Sequence, residues 1–152
     1  MADIYLALGS NLGDRREQLR LALRSLTERG IYTRRVSSLY ETDPMYDTNQ
    51  PRFLNAAVQV DTELSPEALL LAAKAIERKL GREERTRFGA REIDIDILVY
   101  GDERRDTPTL TIPHPRMAER PFVQAPLAEL RGDAAPAYEG VSVVEGPEWA
   151  DV

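Results

Sequence analysis

Between Ile93 and Leu98 the chain reads Ile-Asp-Ile-Asp-Ile-Leu, and this alternation constrains the fold more than any other stretch. Side chains of a β-strand point alternately to opposite faces, so Asp94 and Asp96 share one face while Ile93, Ile95 and Ile97 share the other. The segment needs a sheet with one buried apolar face and one face open to water or cations, because neighbouring carboxylates repel and are costly to bury unpaired. Oxygen-only pairs of this kind suit Mg²⁺, which commonly combines one or two protein carboxylates with water and substrate phosphates. A bare Asp-x-Asp strand is more often an exposed face whose aspartates pair with arginines. Here Arg87-Phe88-Gly89-Ala90-Arg91 runs a basic, glycine-containing loop straight into the strand, which makes a place to hold phosphates and metal ions.

Strands and helices alternate along the rest of the chain. Asp3 to Leu8 alternates as a strand, Gly9-Ser10-Asn11-Leu12-Gly13 turns, and Asp14 caps a predicted helix with Leu19, Ala22, Leu23 and Leu26 on one face. Gly30 stops it. Strands are predicted near Tyr32 to Tyr40 and Phe53 to Thr62, able to pair antiparallel, with a loop containing Asp43-Pro44 and Gln50-Pro51 between them. Ser65 and Pro66 start a second helix that turns Leu69, Ala73, Ile76 and Leu80 inward and stops at Gly81. The order β-α-β-β-α-β is that of an α+β, ferredoxin-like sandwich: an antiparallel sheet with helices on one face. A short helical C-terminal extension follows, where Phe122, Val123 and Leu127 cover the core. Residues 1–152 read as a single domain, and the Gly, Pro and Ala-rich acidic tail over about 131–152 reads as weakly structured.

Composition narrows the function classes. A chain of 152 residues with 42% hydrophobic and 30% charged residues can build its own core. The absence of cysteine removes disulfides, thiolate zinc sites and cysteine nucleophiles together. No apolar run approaches the roughly 20 residues of a membrane helix, and no secretory signal is visible at the N-terminus, so a cytoplasmic protein without a membrane partner is expected. The net charge of −6 argues against a nucleic-acid partner, although Arg78, Lys79, Arg82, Arg85, Arg87 and Arg91 form a local basic stretch.

Several separated pieces together resemble the 6-hydroxymethyl-7,8-dihydropterin pyrophosphokinase family. They are Gly9-Ser10-Asn11-Leu12-Gly13-Asp14, Tyr40-Glu41-Thr42, Gln50-Pro51, Phe53-Leu54-Asn55-Ala56-Ala57-Val58, Ile76-Glu77, Leu80-Gly81-Arg82, the Arg87 to Leu98 block, and Pro113-His114-Pro115-Arg116-Met117 with Arg120 and Phe122. The resemblance implies a Mg²⁺-dependent diphosphotransferase of folate biosynthesis. Such an enzyme moves the β,γ-pyrophosphoryl group of ATP, its co-substrate, to the hydroxymethyl oxygen of the pterin and releases AMP. It implies two Mg²⁺ ions on Asp94 and Asp96, with Arg82, Arg91 and His114 completing the catalytic set. The nucleotide would meet Glu77, Arg82, Arg85, Arg91, Ile97, Thr111, His114 and Arg120. The pterin would meet Thr42, Pro44, Met45, Phe53, Asn55, Phe122 and Asp94. Small-molecule substrates and a monomer are the expected partners and state, and Asp96 is only a candidate for taking the hydroxyl proton.

Each residue also has a plainer reading. Both phenylalanines read as core from spacing alone, and a helix-surface Glu77 beside Arg78 or Lys79 needs no nucleotide. Asn55 fits that reading poorly, because an amide in the apolar run Phe53 to Val58 needs a partner. The Gly9 to Asp14 segment is no Walker loop, lacking the Gly-Lys-Ser/Thr ending, and reads as a strand-to-helix turn near the site. The chain departs from the family pattern at Arg85, displaced by one position, at Phe88 and Ala90, where tryptophan and proline are frequent, and at Tyr46, often glycine. Closure of residues Asp43 to Gln50 and Glu83 to Ala90 over the substrates is a further expectation. The rival classes are an RNA-binding module, a metal-dependent nucleotidyltransferase releasing pyrophosphate, and a regulatory binding module; the fold alone does not separate them.

Overall fold

Alternation in the first strand decides which way the sheet faces. In β1 (Ile4–Ser10) the side chains of Ile4, Leu6 and Leu8 are buried against two helices, while Tyr5 and Ala7 pack toward the opposite face. The computed structural model describes residues 3–11, 13–42, 52–81, 93–132 and 140–150. After β1 come α1 (Arg15–Glu28), β2 (Tyr32–Val36), β3 (Leu39–Thr42), β4 (Phe53–Asp61), α2 (Pro66–Gly81) and β5 (Asp94–Tyr100). A small hairpin, β6 (Arg105–Asp106) and β7 (Thr111–Ile112), precedes α3 (Pro121–Arg131) and β8 (Val141–Glu145). The main sheet runs β5-β1-β4-β3-β8 with β2 also on β4, and every pair is antiparallel. This is the expected α+β sandwich, with β2 and β3 serving as one interrupted strand.

The local signals work as the chemistry requires. Asp14 accepts from the Glu17 N–H at 3.1 Å and caps α1, and Gly30, with φ at +83°, turns the chain out of it. Ser65 Oγ accepts from the Ala68 N–H at 3.1 Å at the start of α2, which Pro66 opens. Leu19, Ala22, Leu23 and Leu26 of α1 and Leu69, Ala73 and Ile76 of α2 are buried against one sheet face, with Leu80 half-buried beside them. On the other face α3 lays Val123, Leu127 and Leu130 against Tyr5, Ala57 and Leu98. Two helices therefore share one face, and the C-terminal helix covers only part of the opposite one.

The interruption between β2 and β3 is a junction where three elements meet. Pairing slips by one residue between Val36–Val58 and Tyr40–Asn55, and Ser37 fills the gap. Its N–H donates to the Ala57 carbonyl at 2.9 Å, and its hydroxyl accepts from the Ala57 N–H at 2.9 Å. The Glu129 carboxylate of α3 accepts from the Ser38 N–H (3.0 and 3.1 Å), the Ser38 hydroxyl (3.0 Å) and the Tyr40 hydroxyl (2.7 Å). Burial, reinforced by that carboxylate, raises the Tyr40 pKa and keeps its proton in place. These bonds fix α3 against the sheet and so set where its N-terminal residues lie.

The expectation of a weakly structured end is corrected over residues 140–150. β8 pairs with β3, matching Thr42 to Val141 and Tyr40 to Val143, and Arg16 of α1 holds Glu145 at 2.9 and 3.1 Å. Trp149 then enters the main core with no exposed surface, and its indole N–H donates to the Ser37 carbonyl at 2.7 Å. Average composition hid this because a single tryptophan can bury roughly 150–250 Å² whatever its neighbours are. Trp149→Ala removes both the packing and the bond, so urea unfolding should show a loss of about 3–5 kcal/mol. A loss under about 1 kcal/mol would make the C-terminal segment an ornament to the core.

Candidate active site

Register places the candidate residues on a common face. Gly9 of β1 lies between Asn55 of β4 and Asp94 of β5, Ala7 lies opposite Asp96, Tyr40 opposite Asn55, and Thr42 opposite Phe53. Directly paired residues project to the same side, so Thr42, Phe53, Asn55, Asp94 and Asp96 all face away from α1 and α2. The Asn55 amide donates to Thr42 Oγ1 at 2.8 Å, and both residues are buried. That bond answers the partner Asn55 required.

Gly9 has a role that its turn-like context conceals. A Cβ built on it would lie 2.7 Å from Asn55 Oδ1, so the missing side chain is what allows the amide to lie over β1. The signal was present as a glycine inside a strand rather than in the turn, but its meaning depends on which strands flank β1.

The aspartates are held by the edge strand that carries them. Among the described strands β5 pairs only with β1, and the Ile95 N–H, between the two carboxylates, donates to Glu77 Oε2 at 2.7 Å. The other Glu77 oxygen is 3.3 Å from Lys74 Nζ, so Glu77 braces the strand with Lys74 as its ionic neighbour, in place of the anticipated Arg78 or Lys79. Asp94 and Asp96 are half-buried, and no group of three or more metal-ligating side chains occurs among the described residues. Two hard oxygen donors on one strand face fit Mg²⁺, which takes its remaining ligands from water and phosphate.

Beyond β5 the chain returns to the aspartates through His114. Its N–H donates to the Leu98 carbonyl at 2.8 Å, and its Nδ1 accepts from the Arg116 N–H at 3.1 Å. An accepting Nδ1 assigns the neutral ring's proton to Nε2, leaving that nitrogen a donor. Burial lowers the His114 pKa below its ordinary 6.5; Asp96 pulls it upward, while Arg120 and Arg116 push it down. Arg120 stands over the Phe122 ring, 5.6 Å from its centroid, and its buried Nε has no hydrogen-bond partner among the described residues. A buried guanidinium donor near an imidazole that also feels Asp96 suits an anionic ligand that carries its own cation.

The remaining candidates divide. Phe122 is half-buried at the start of α3, and Thr111 is half-buried on β7 where that strand meets β5. Ile97 is buried in the main core, on the opposite side of β5 from the aspartates. Arg82, Arg85, Arg91, Pro44 and Met45 lie outside the described residues, as do the two segments expected to close.

Comparison with known proteins matches a family model described as 7,8-dihydro-6-hydroxymethylpterin-pyrophosphokinase over residues 5–132. A "Folate synthesis bifunctional protein, mitochondrial" of Pisum sativum is 51% identical over 132 residues, covering 87% of this chain and 26% of that protein. The chain thus spans about a quarter of the length of the bifunctional relatives it matches. The "2-amino-4-hydroxy-6-hydroxymethyldihydropteridine pyrophosphokinase" of Bacillus subtilis is 49% identical over 83% of this chain and 76% of its own length. The fold is similar to that of wild-type Plasmodium falciparum HPPK-DHPS, with a TM-score of 0.61 at 19% identity over 90% of this chain and 42% of that one.

His114 is the sole histidine, so its ring Hε1 proton gives a single NMR signal in the full chain. That signal should titrate below 6.5 in the free protein, and lower still in Asp96→Asn, since Asp96 stabilises the charged ring. An upward shift in Asp96→Asn would show that the carboxylate does not act on this ring.

Proposed function

Because this chain belongs to the 7,8-dihydro-6-hydroxymethylpterin-pyrophosphokinase family, we propose that it transfers the β,γ-pyrophosphoryl group of ATP to the hydroxymethyl oxygen of 6-hydroxymethyl-7,8-dihydropterin, as a monomeric cytoplasmic enzyme. The observation that supports this reading best is the placement of Asn55 and Asp94 on either side of Gly9. Two strand spacings separate them, about 10 Å. A flat heterocycle held through its edge by Asn55 thus brings a side-chain hydroxyl within reach of phosphates gathered at the aspartates.

In the reaction the hydroxymethyl oxygen attacks the β-phosphorus, the bond from that phosphorus to the oxygen bridging the α and β phosphates breaks, and AMP departs with that oxygen. The pterin oxygen loses its proton, for which Asp96 is a candidate acceptor. Phosphoryl-type transfer asks the protein chiefly to position the reactants and neutralise charge. His114, with its proton assigned to Nε2, donates to a phosphate oxygen without adding charge of its own. Arg120 offers its unpartnered Nε to the same chain of phosphates, with Arg82 and Arg91 from the segment before β5. Phe53 and Phe122 supply apolar faces to the heterocycle, and the Asn55–Thr42 pair reads its edge. Two Mg²⁺ ions on Asp94 and Asp96 would neutralise the triphosphate and lower the pKa of the attacking hydroxyl.

Nucleotide product analysis with ATP, Mg²⁺ and the pterin tests this reading. AMP should form in step with pterin diphosphate, and Asp96→Ala should reduce turnover at least about a hundredfold with the fold intact. ADP as product would make the chain a simple kinase, and pyrophosphate release would favour the nucleotidyltransferase class.

Gly9→Ala probes the pterin half alone. The added methyl group displaces the end of the Asn55 side chain rather than any backbone, so melting should change little. The KM for the pterin should rise about tenfold, the equivalent of one lost hydrogen bond, while the KM for ATP stays within about twofold. Equal effects on both substrates would remove Asn55 from the pterin side.

A further inference from the structure

Arg15, the first residue of α1, reaches the ends of two strands at once. Its Nη1 donates to Glu41 Oε2 at 2.8 Å and to the Arg52 carbonyl at 2.8 Å, and the Arg52 guanidinium lies 3.6 Å from Glu41 Oε1. Glu41 immediately precedes Thr42, and Arg52 immediately precedes Phe53. Thr42 and Phe53 form the last described pair of the β3–β4 ladder. Alternation along β3 puts the Glu41 side chain on the helix face and Thr42 on the site face, so Arg15 holds the pair from behind the sheet.

We infer that the Arg15–Glu41–Arg52 clamp is a positioning device for the pterin side of the site, fixing Thr42 and Phe53 without touching the substrate; this rests on the function proposed above. Three observations carry it. First, Arg15 is itself anchored, since Asp14 caps its helix and Leu19, one turn on, has no exposed surface. Second, the clamp includes a bond to a backbone carbonyl, which fixes the chain and not merely a side chain. Third, Thr42 Oγ1 is the acceptor that orients the Asn55 amide, so a displacement at Glu41 passes in two bonded steps to a residue facing the heterocycle.

An isolated ion pair at a protein surface would have little influence on affinity. This one is partly sheltered, with side-chain exposures of 30% for Arg15 and 23% for Glu41, and it sits at the end of the β3–β4 ladder where the chain passes from one strand to the other. Reacting groups and their orienting partners tolerate displacements well below 1 Å before rate or affinity suffers, so holding this end is of direct consequence.

The experiment uses the full chain with Arg15→Ala, Glu41→Ala and the double variant. Each single variant should raise the pterin KM about tenfold, with kcat and the KM for ATP within about twofold and melting within about 4 °C. The double variant should add less than about twofold to either single one, because both break the same unit. Glu41→Gln keeps an acceptor oxygen for Arg15 and should recover most of the loss. Exchange of the Asn55 side-chain amide protons, followed by NMR without substrate, should accelerate at least tenfold in both alanine variants. A pterin KM within twofold of the unaltered chain in both single variants overturns the inference, as does a parallel rise in the KM for ATP. Should the unaltered chain form no AMP, the proposed function fails on its own terms, and the Asn55 exchange rates alone decide whether the clamp holds this strand end.

Discussion

Side-chain parity across β1, β4 and β5 is the constraint on which the rest of the molecule depends. Ile4, Leu6 and Leu8, then Leu54, Ala56, Val58 and Val60, then Ile95 and Ile97, must all face the same helices. Burying each of the larger side chains contributes roughly 1.5–3 kcal/mol, so the register of three strands is locked together. A slip of one residue in β5 would turn Asp94 and Asp96 into that core and Ile95 out of it. The site therefore needs no separate scaffold. Once the apolar face is buried, Asn55, Gly9, Asp94 and Asp96 are delivered side by side to the other face.

Among the described residues a helix covers only part of that second face, and the uncovered part is where the candidate residues lie. α3 seals the half over Tyr5, Ala57 and Leu98, and its far end is fixed at the Ser37–Ser38 junction by Glu129. The near end begins at Arg120 and Phe122, beside the half of the sheet that α3 leaves open. Trp149 secures the same junction from the opposite face, through the Ser37 carbonyl. A helix held at the end remote from the site can present its first residues firmly while leaving room for a ligand in front of them. The β6–β7 hairpin is tethered in a comparable way, with Arg105 bonded to Glu67 and Glu103, and it leads into the segment that carries His114.

What was legible in the sequence was what short-range chemistry decides. Asp14 and Ser65 as caps, the inward faces of α1 and α2, and the shared face of the aspartates all follow from residues within a few positions of one another. Trp149 was not legible, because the groove that receives it is made of elements more than a hundred positions away in the chain. Nor was the function of Gly9, which depends on Asn55 crossing over it from a strand that pairs only after folding. The break at Ser37–Ser38 looks like ordinary polar strand sequence until Ala57 and Glu129 are placed beside it. Family resemblance picked out the candidate ligand-facing residues, yet Glu77 shows how such a position can also serve the frame. It braces the Ile95 N–H between the two aspartates, a role that spacing on a helix does not reveal.

On the proposed reading, electrostatics then decides the order of events in the site. The chain carries a net charge of −6, and Asp94 and Asp96 point at the place where a triphosphate must lie. Free ATP is repelled by that pair, so the carboxylates help binding only when divalent cations arrive with the nucleotide and invert the local sign. The protein's own cations then act on what remains. Arg120, held over Phe122 with an unused buried donor, would then meet phosphate oxygens. His114 is held neutral chiefly by its burial, so it can donate a proton without competing with the metal ions for charge. A protonated histidine there would repel those ions and add to the positive charge beside Arg116 and Arg120. The depressed pKa thus favours the uncharged imidazole, whose Nε2–H still donates, and leaves charge neutralisation to groups whose charge is permanent.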